Sequence, residues 1–202
     1  MSIFDDFFET QMEYLANAID WRGVTVVEYG AQHARHSLAL LKLGASHALA
    51  IDGRQSNLDQ VSNPDNLPLD TLCVDIREPF TDPTQYDVGL ILGVLYHLDM
   101  PVRFLFSELP RIRNHLFIWT HYVNTTPTEQ AGYFGNIWLD SGSDKSASLV
   151  PLAAFWFERD ELLRCVRDNG FYVVETVDMP TPVSPQYSGM MIHAIRRPAH
   201  GA

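Results

Sequence analysis

Basic side chains are scarce in this chain. Against 25 Asp and Glu there are only 14 Lys and Arg, a formal net charge of −11, and no Lys/Arg cluster of the kind that tracks a phosphate backbone occurs. Nucleic acid and anionic membrane surfaces are therefore disfavoured as partners. Cysteine is nearly absent: Cys73 and Cys165 each lie inside an apolar pattern rather than in a paired spacing, which excludes a disulfide scaffold and implies reduced, buried thiols in a cytoplasmic protein. Long apolar runs are lacking too. The longest, Val88 to Tyr96, is too short to cross a bilayer, and the amino terminus is acidic and aromatic where a secretory signal is basic and then apolar. Internal repeats and low-complexity tracts are also missing. What the chain does have is 46% hydrophobic residues in 202, enough for one well-buried core and short for two. One domain over 1–202 is expected.

The spacing of those apolar residues alternates between the two regular periods. Phe4, Phe7, Phe8, Met12, Leu15 and Ile19 recur at helical intervals and predict an amphipathic helix over 4–20, within a capping segment 1–22. Strands are predicted at 24–29, 48–52, 72–75, 86–92, 116–120, 171–177 and 188–196. Between them, helices are predicted at 34–43, closed by Gly44, at 55–62, at 102–109 behind Pro101, and at 158–169, stopped by Gly170. Strands separated by helices imply a parallel sheet covered on both faces. Residues 123–156 show no period, only Thr, Gly, Ser, Asp and scattered aromatics. Such a stretch inside a compact domain reads as a lid or substrate-specific insertion.

The most informative segment opens the first strand–helix–strand unit. A β-branched run ends at Glu28, Gly30 permits a turn with positive φ, and the following helix offers free N–H groups to a ligand. The next strand ends in Asp52-Gly53, near the spacing at which an acid meets a ribose hydroxyl pair. A ribose-bearing ligand is implied.

Taken in order, Glu28-x-Gly30, Asp52-Gly-Arg, Val74-Asp75-Ile76-Arg77 and Gly93-Val94-Leu-Tyr96-His97-Leu resemble the class I S-adenosylmethionine-dependent methyltransferases. The ending, Phe155-Trp156-Phe157, Glu161-Leu-Leu and Asn169-Gly-Phe171, is similar to that group's small-molecule members. The resemblance implies an α/β, Rossmann-like three-layer sandwich with a seven-stranded, mostly parallel sheet whose last strand is antiparallel. It also implies S-adenosyl-L-methionine as cofactor and a small-molecule methyl acceptor. Glu28, Gly30 and Gln32 would line the methionine half, Asp52 and Gly53 the ribose, Asp75 and Ile76 the adenine, and Gly93 and Val94 the sulfonium. One departure stands out: where the family usually has two further glycines in the first turn, this chain has Gln32 and Ala34.

Each candidate has a plainer reading. Asp52 could cap the next helix, and Asp75 could simply pair with Arg77 on the surface. His33 and His36 lie three apart, a spacing that can hold a metal, and His97, Asp99 and His121 could converge beside the methyl donor, but no metal is expected. His97 is the first candidate for a general base, with His121 and Tyr96 behind it. Tyr133, Trp138 and Trp156 are expected to wall the acceptor site, and His193 to be a satisfied core or rim residue. Oxygen, nitrogen and carbon acceptors stay open, as does a homodimer. A dinucleotide-dependent dehydrogenase would want the full glycine fingerprint; a catalytically silent subunit of the same fold is the other alternative.

Overall fold

The computed structural model describes residues 3–78, 83–125, 127–139, 153–179 and 187–198. Chain order is α1 (Ile3–Ala18), β1 (Thr25–Tyr29), α2 (Arg35–Lys42), β2 (His47–Asp52), α3 (Gln55–Leu58), β3 (Leu69–Cys73), β4 (Tyr86–Leu92), α4 (Pro101–Glu108), β5 (Ile112–Tyr122), β6 (Thr128–Gln130), β7 (Tyr133–Leu139), β8 (Ala153–Phe157), α5 (Arg159–Asp168), β9 (Phe171–Asp178) and β10 (Ser188–Arg196). Seven strands form one sheet in the order β3-β2-β1-β4-β5-β10-β9. β1 to β5 are mutually parallel, and β10 runs antiparallel to both β5 and β9. This is the expected three-layer α/β architecture with an antiparallel last strand.

The central strands read as continuous apolar runs because both faces are covered, and alternate residues divide between two cores. Val26, Val88, Leu90 and Phe117 pack with Leu15 of α1 and Leu40 and Leu41 of α2. Val27, Tyr29, Ile91 and Ile118 pack with Phe104 and Leu105 of α4 and Leu162 and Val166 of α5. Asp87 ties the strand starts together, its Oδ2 accepting from the Thr25 amide at 2.9 Å and hydroxyl at 2.8 Å. α5 is capped by the Glu158 carboxylate, which accepts from the Asp160 and Glu161 amides, and Gly170 follows it at φ +85°. Among the described residues no helix is long and apolar enough to cross a membrane.

Three expectations are corrected. The aperiodic stretch 123–156 contains a second, antiparallel sheet in the order β6-β7-β8; residues 126 and 140–152 lie outside the described residues. Its period was hidden because an inward position of β7 is Gly135, where a Cβ would sit 2.2 Å from the Trp156 carbonyl oxygen. Close backbone approach there replaces apolar bulk. The third strand starts at Leu69 rather than Leu72, and Asp75 lies beyond its end; as a sheet edge with mostly outward residues, β3 needs little hydrophobicity. For the same reason Cys73 is exposed, while Cys165 is buried.

His193 is buried as expected, stacked on Phe117 with ring centroids 4.4 Å apart, and its Nε2 lies 3.1 Å from His115 Nδ1. Burial first, and then the neighbouring His115, push its pKa down to about 4 from 6.5, with Glu175 pulling the other way; burial lowers His115 as well. An unfolded imidazole binds a proton more readily than this one, so the contribution to stability is complete above pH 6.5 and is lost as pH falls toward 4. We expect urea titrations to show on the order of 1 kcal/mol less stability at pH 5 than at pH 7 from this site. His193→Gln should flatten that slope.

Candidate cofactor and acceptor site

The loops at the carboxyl ends of β1, β2, β4 and β5 meet at one edge of the sheet, where open parallel sheets bind ligands. Gly30, at φ +71°, turns the chain out of β1 so closely against the β4 loop that a Cβ would lie 2.5 Å from Val94 Cβ. Two positions predicted to share the cofactor are thereby brought into contact. Beyond the turn, Gln32 (φ +47°) and Ala34 (φ +54°) both adopt the left-handed conformation. The chain thus keeps the backbone path of a glycine-rich turn without two of the glycines, which costs roughly 1 to 2 kcal/mol per residue. The Gln32 side chain is exposed, so it does not fill the turn. Gln32→Gly should relieve the strain, less the extra entropy of an unfolded glycine, and raise stability by about 0.5 to 1 kcal/mol in denaturant titration.

Two predicted cofactor carboxylates are already engaged. Glu28 is buried; its Oε2 accepts from the Ser37 amide at 3.0 Å and hydroxyl at 2.6 Å, and its Oε1 lies 3.0 Å from His36 Nδ1. His36 Nε2 in turn faces the side-chain amide of Gln11 at 3.2 Å, so Glu28 locks the first turn of α2 and the docking of α1. Asp52, also buried, accepts from the Gln32 amide through Oδ2 at 2.9 Å, and from the Arg54 amide (2.9 Å) and Asn57 Nδ2 (3.0 Å) through Oδ1. It holds the β1 and β2 loops together, while the N-cap position of α3 is Arg54, with no side-chain cap. A carboxylate has about four lone-pair positions, which leaves one on Oδ2 for an outside hydroxyl.

Asp75 pairs with Arg77, accepting from its Nε at 2.9 and 3.1 Å. That guanidinium holds its carboxyl below the ordinary carboxylate value. Ile76 packs against the α4/α5 core, and Gly53 follows Asp52 in the β2 loop. Gly93, at φ +91°, donates its amide to the Trp119 carbonyl at 2.9 Å and leads into a 3-10 turn, Leu95–His97.

Tyr96 on that turn is the hub of the acceptor side. Its ring lies 4.2 Å from His97, 4.5 Å from His121, 5.7 Å from Trp119 and 5.9 Å from Trp156. His121, buried at 5% exposure near the end of β5, stacks on Trp156 at 5.0 Å and 10°, and Trp138 stacks on Trp156 at 4.8 Å and 20°. Tyr187 stands edge-on to all three rings. His121 Nδ1 lies 3.2 Å from the Ser188 carbonyl. A carbonyl only accepts, so Nδ1 carries the proton and Nε2 presents a lone pair. Burial pushes this imidazole below its ordinary pKa, which keeps it neutral near pH 7. Among the described residues Nε2 has no hydrogen-bond partner.

The predicted trio of His97, His121 and Tyr96 is thus assembled, with Trp138 and Trp156 beside it. Tyr133 is placed elsewhere: its hydroxyl donates to Asp168 at 2.8 Å under the Arg164 guanidinium, fastening β7 to α5. Among the described residues no three His, Cys, Asp or Glu side chains converge as a metal site. Sequence reasoning passed over Ser37, Asn57, Trp119 and Tyr187. Trp119 had a signal, since it shares a strand face with His121 two residues on. Phe7 of α1 covers it edge-on at 4.9 Å.

No protein-family model and no curated protein matches the sequence. Solved structures do match the fold. The N-terminal domain of EvdMO1, solved in the presence of S-adenosylhomocysteine (SAH) and D-fucose, is 18% identical, with 95% of this chain and 82% of that one covered, at a TM-score of 0.76. Magnesium protoporphyrin IX methyltransferase from Synechocystis with bound SAH is 14% identical over 95% and 82%, at 0.66. The cyclase SpnF is 14% identical over 96% and 81%, at 0.69.

Proposed function

From the fold that this chain shares with S-adenosylmethionine-dependent methyltransferases, we propose that it transfers a methyl group from S-adenosyl-L-methionine to a small molecule. The observation that carries this reading is the convergence at one sheet edge of the Gly30–Val94 contact, the Asp52-bound Gln32 loop and the Gly93–Tyr96–His121 group. Similar structures solved with SAH have this fold. When bound, the cofactor supplies a methyl carbon already activated on sulfonium. The chain's own residues bind, orient and exclude water, which is where proximity yields most of the rate.

Asp52 offers its remaining lone pair to a ribose hydroxyl, the exposed third of Asp75 borders the adenine side, and the turn from Gly30 to Ala34 presents the start of α2 to the methionine half. Gly93 and Val94 bring the β4 loop to the reacting end. His121 takes the acceptor's proton at Nε2, its tautomer fixed by the Ser188 carbonyl, and Tyr96 separates it from His97. The hydrogen bond to the Ser188 carbonyl and the burial that favours the neutral form support His121, ahead of His97, as the base.

The test is calorimetry with SAH and, separately, with NAD. Binding of SAH alone supports the reading; binding of NAD alone overturns it. Asp52→Ala should weaken SAH binding at least about tenfold, the effect of one charged hydrogen bond. It should also lower stability by about 1 kcal/mol, because the part-buried donors at Gln32, Arg54 and Asn57 lose their acceptor.

One observation favours a second reading, a protein that binds the cofactor without methylating. Glu28 and most of Asp52 are spent on the protein itself, and a cyclase shares the fold. SAH binding without any methyl transfer would select it.

A further inference from the structure

We propose that Gln11 and His36 are positioning residues for the cofactor: through them, α1 holds the turn from Gly30 to Ala34 and the start of α2 in the shape that S-adenosylmethionine meets. The inference rests on the cofactor half of the methyl-transfer reading and adds to it a control from outside the site.

The start of α2 lacks a cap of its own. Its N-cap position is Ala34, in the left-handed conformation and with no side-chain acceptor, where helices ordinarily place Ser, Thr, Asp or Asn. Glu28 supplies the acceptor from β1 instead, its Oε2 taking both the amide and the hydroxyl of Ser37. The turn before the helix is equally dependent. Gln32 and Ala34 sit at φ +47° and +54° against their own preference, so the loop's shape relies on outside anchors, Asp52 at the Gln32 amide and Glu28 at the Ser37 amide.

One of those anchors is itself held by α1. Glu28 Oε1 accepts from His36 Nδ1 at 3.0 Å, and His36 Nε2 faces the Gln11 side-chain amide at 3.2 Å. An amide carries both an acceptor and donors, so this link is satisfied whether Nε2 holds a proton or a lone pair. Gln11 and Glu28 are 4% and 2% exposed, which shields the contacts from competing water. Asp5, Phe8 and Gln11, spaced three apart on one face of α1, all meet the first two residues of α2. Asp5 pairs with Arg35 at 3.1 Å, the Arg35 guanidinium lies 4.1 Å over the Phe8 ring, and that ring stands 4.9 Å from His36. The exposed Asp5–Arg35 pair adds little; the buried amide is the contact that reaches Glu28. A turn held in this way before the ligand arrives loses no affinity to ordering, and releasing it lowers apparent affinity by the fraction of chains in which the turn is misplaced.

The test measures SAH affinity by calorimetry and, in the ligand-free chain, amide hydrogen exchange across residues 31–38. Gln11→Leu removes the amide and keeps the bulk; His36→Asn keeps an N–H for Glu28 near the place of Nδ1 and removes Nε2. Each should weaken SAH binding at least about fivefold and speed exchange at 31–38 by a similar factor. The double variant should lose no more than the worse single, because both cut the same link. Tyr14→Phe is the control. It removes the hydrogen bond from α1 to Glu175, 2.8 Å long, and should change neither readout by more than about twofold. A lower melting temperature with SAH affinity intact in both variants overturns the proposal and leaves a plain tie between helices. Equal loss in Tyr14→Phe overturns it as well, since α1 would then act by its docking as a whole, and so do additive losses in the double variant. If the unaltered chain binds no SAH, the cofactor reading fails, and the exchange at 31–38 decides by itself whether Gln11 and His36 hold the turn.

Discussion

His121→Gln should bind SAH as tightly as the unaltered chain and turn over at least about a hundredfold more slowly, the usual contribution of a positioned general base. The side-chain amide of glutamine can keep the hydrogen bond to the Ser188 carbonyl, so fold and cofactor affinity are expected to persist while the lone pair at Nε2 is lost. The pH dependence provides the second readout. Only the neutral imidazole can accept a proton, and burial pushes this one below its ordinary value. Turnover should thus be level through pH 7 and decline only on the acid side, below about 6.5. In the glutamine variant that acid limb should be gone. His97→Asn, at the neighbouring position on the 3-10 turn, should change turnover only a few-fold. If the two variants exchange these behaviours, His97 is the base and His121 a member of the aromatic cluster only.

Gly30→Ala should be strongly destabilising. The left-handed conformation at φ +71° costs about 1 to 2 kcal/mol with a side chain present, and the Cβ, 2.5 Å from Val94 Cβ, adds overpacking of about 1 to 3 kcal/mol. The sum is about 2 to 5 kcal/mol, a large part of a typical stability, with the melting temperature falling about 3 °C per kcal/mol. Cofactor affinity should fall as well, since relief of the clash pushes the β1 and β4 loops apart. Val94→Ala in the same chain removes the Cγ2 and Cγ1 contacts at 2.7 and 3.1 Å but keeps the Cβ at 2.5 Å, so it should return only part of the overpacking and leave the backbone part, a coupling that a double-mutant cycle measures directly. Additive losses would show that Gly30 and Val94 do not press on one another.

What the sequence determined by itself was whatever depends on local period and chain order. Apolar runs such as Val24–Val27 and Val88–Leu92 sit between turn residues and helical stripes, and a strand buried on both faces must carry such a run wherever it lies. Gly30, Gly44 and Gly170 marked turns because only glycine takes positive φ without strain. The order of Gly30, Asp52, Asp75 and Gly93 placed four loops at one sheet edge, since parallel strands all end on the same side.

The tertiary structure decided what those residues touch. Glu28 and Asp52 carry the same carboxylate whether they face a ligand or Ser37 and Gln32, and nothing local distinguishes the two. The positive φ of Gln32 and Ala34 is imposed by the loop's ends and runs against their own preference. β6 to β8 were hidden because Gly135 replaces bulk with backbone contact, and β3 was misplaced because an edge strand has little to bury. The aromatic cluster around His121 is built from β5, the β4 loop, β7, β8 and Tyr187, just before β10. Residues as distant in sequence as Tyr96 and Tyr187 meet there only because the sheet order brings those elements together, and long-range packing of that kind leaves no trace in the spacing of neighbours.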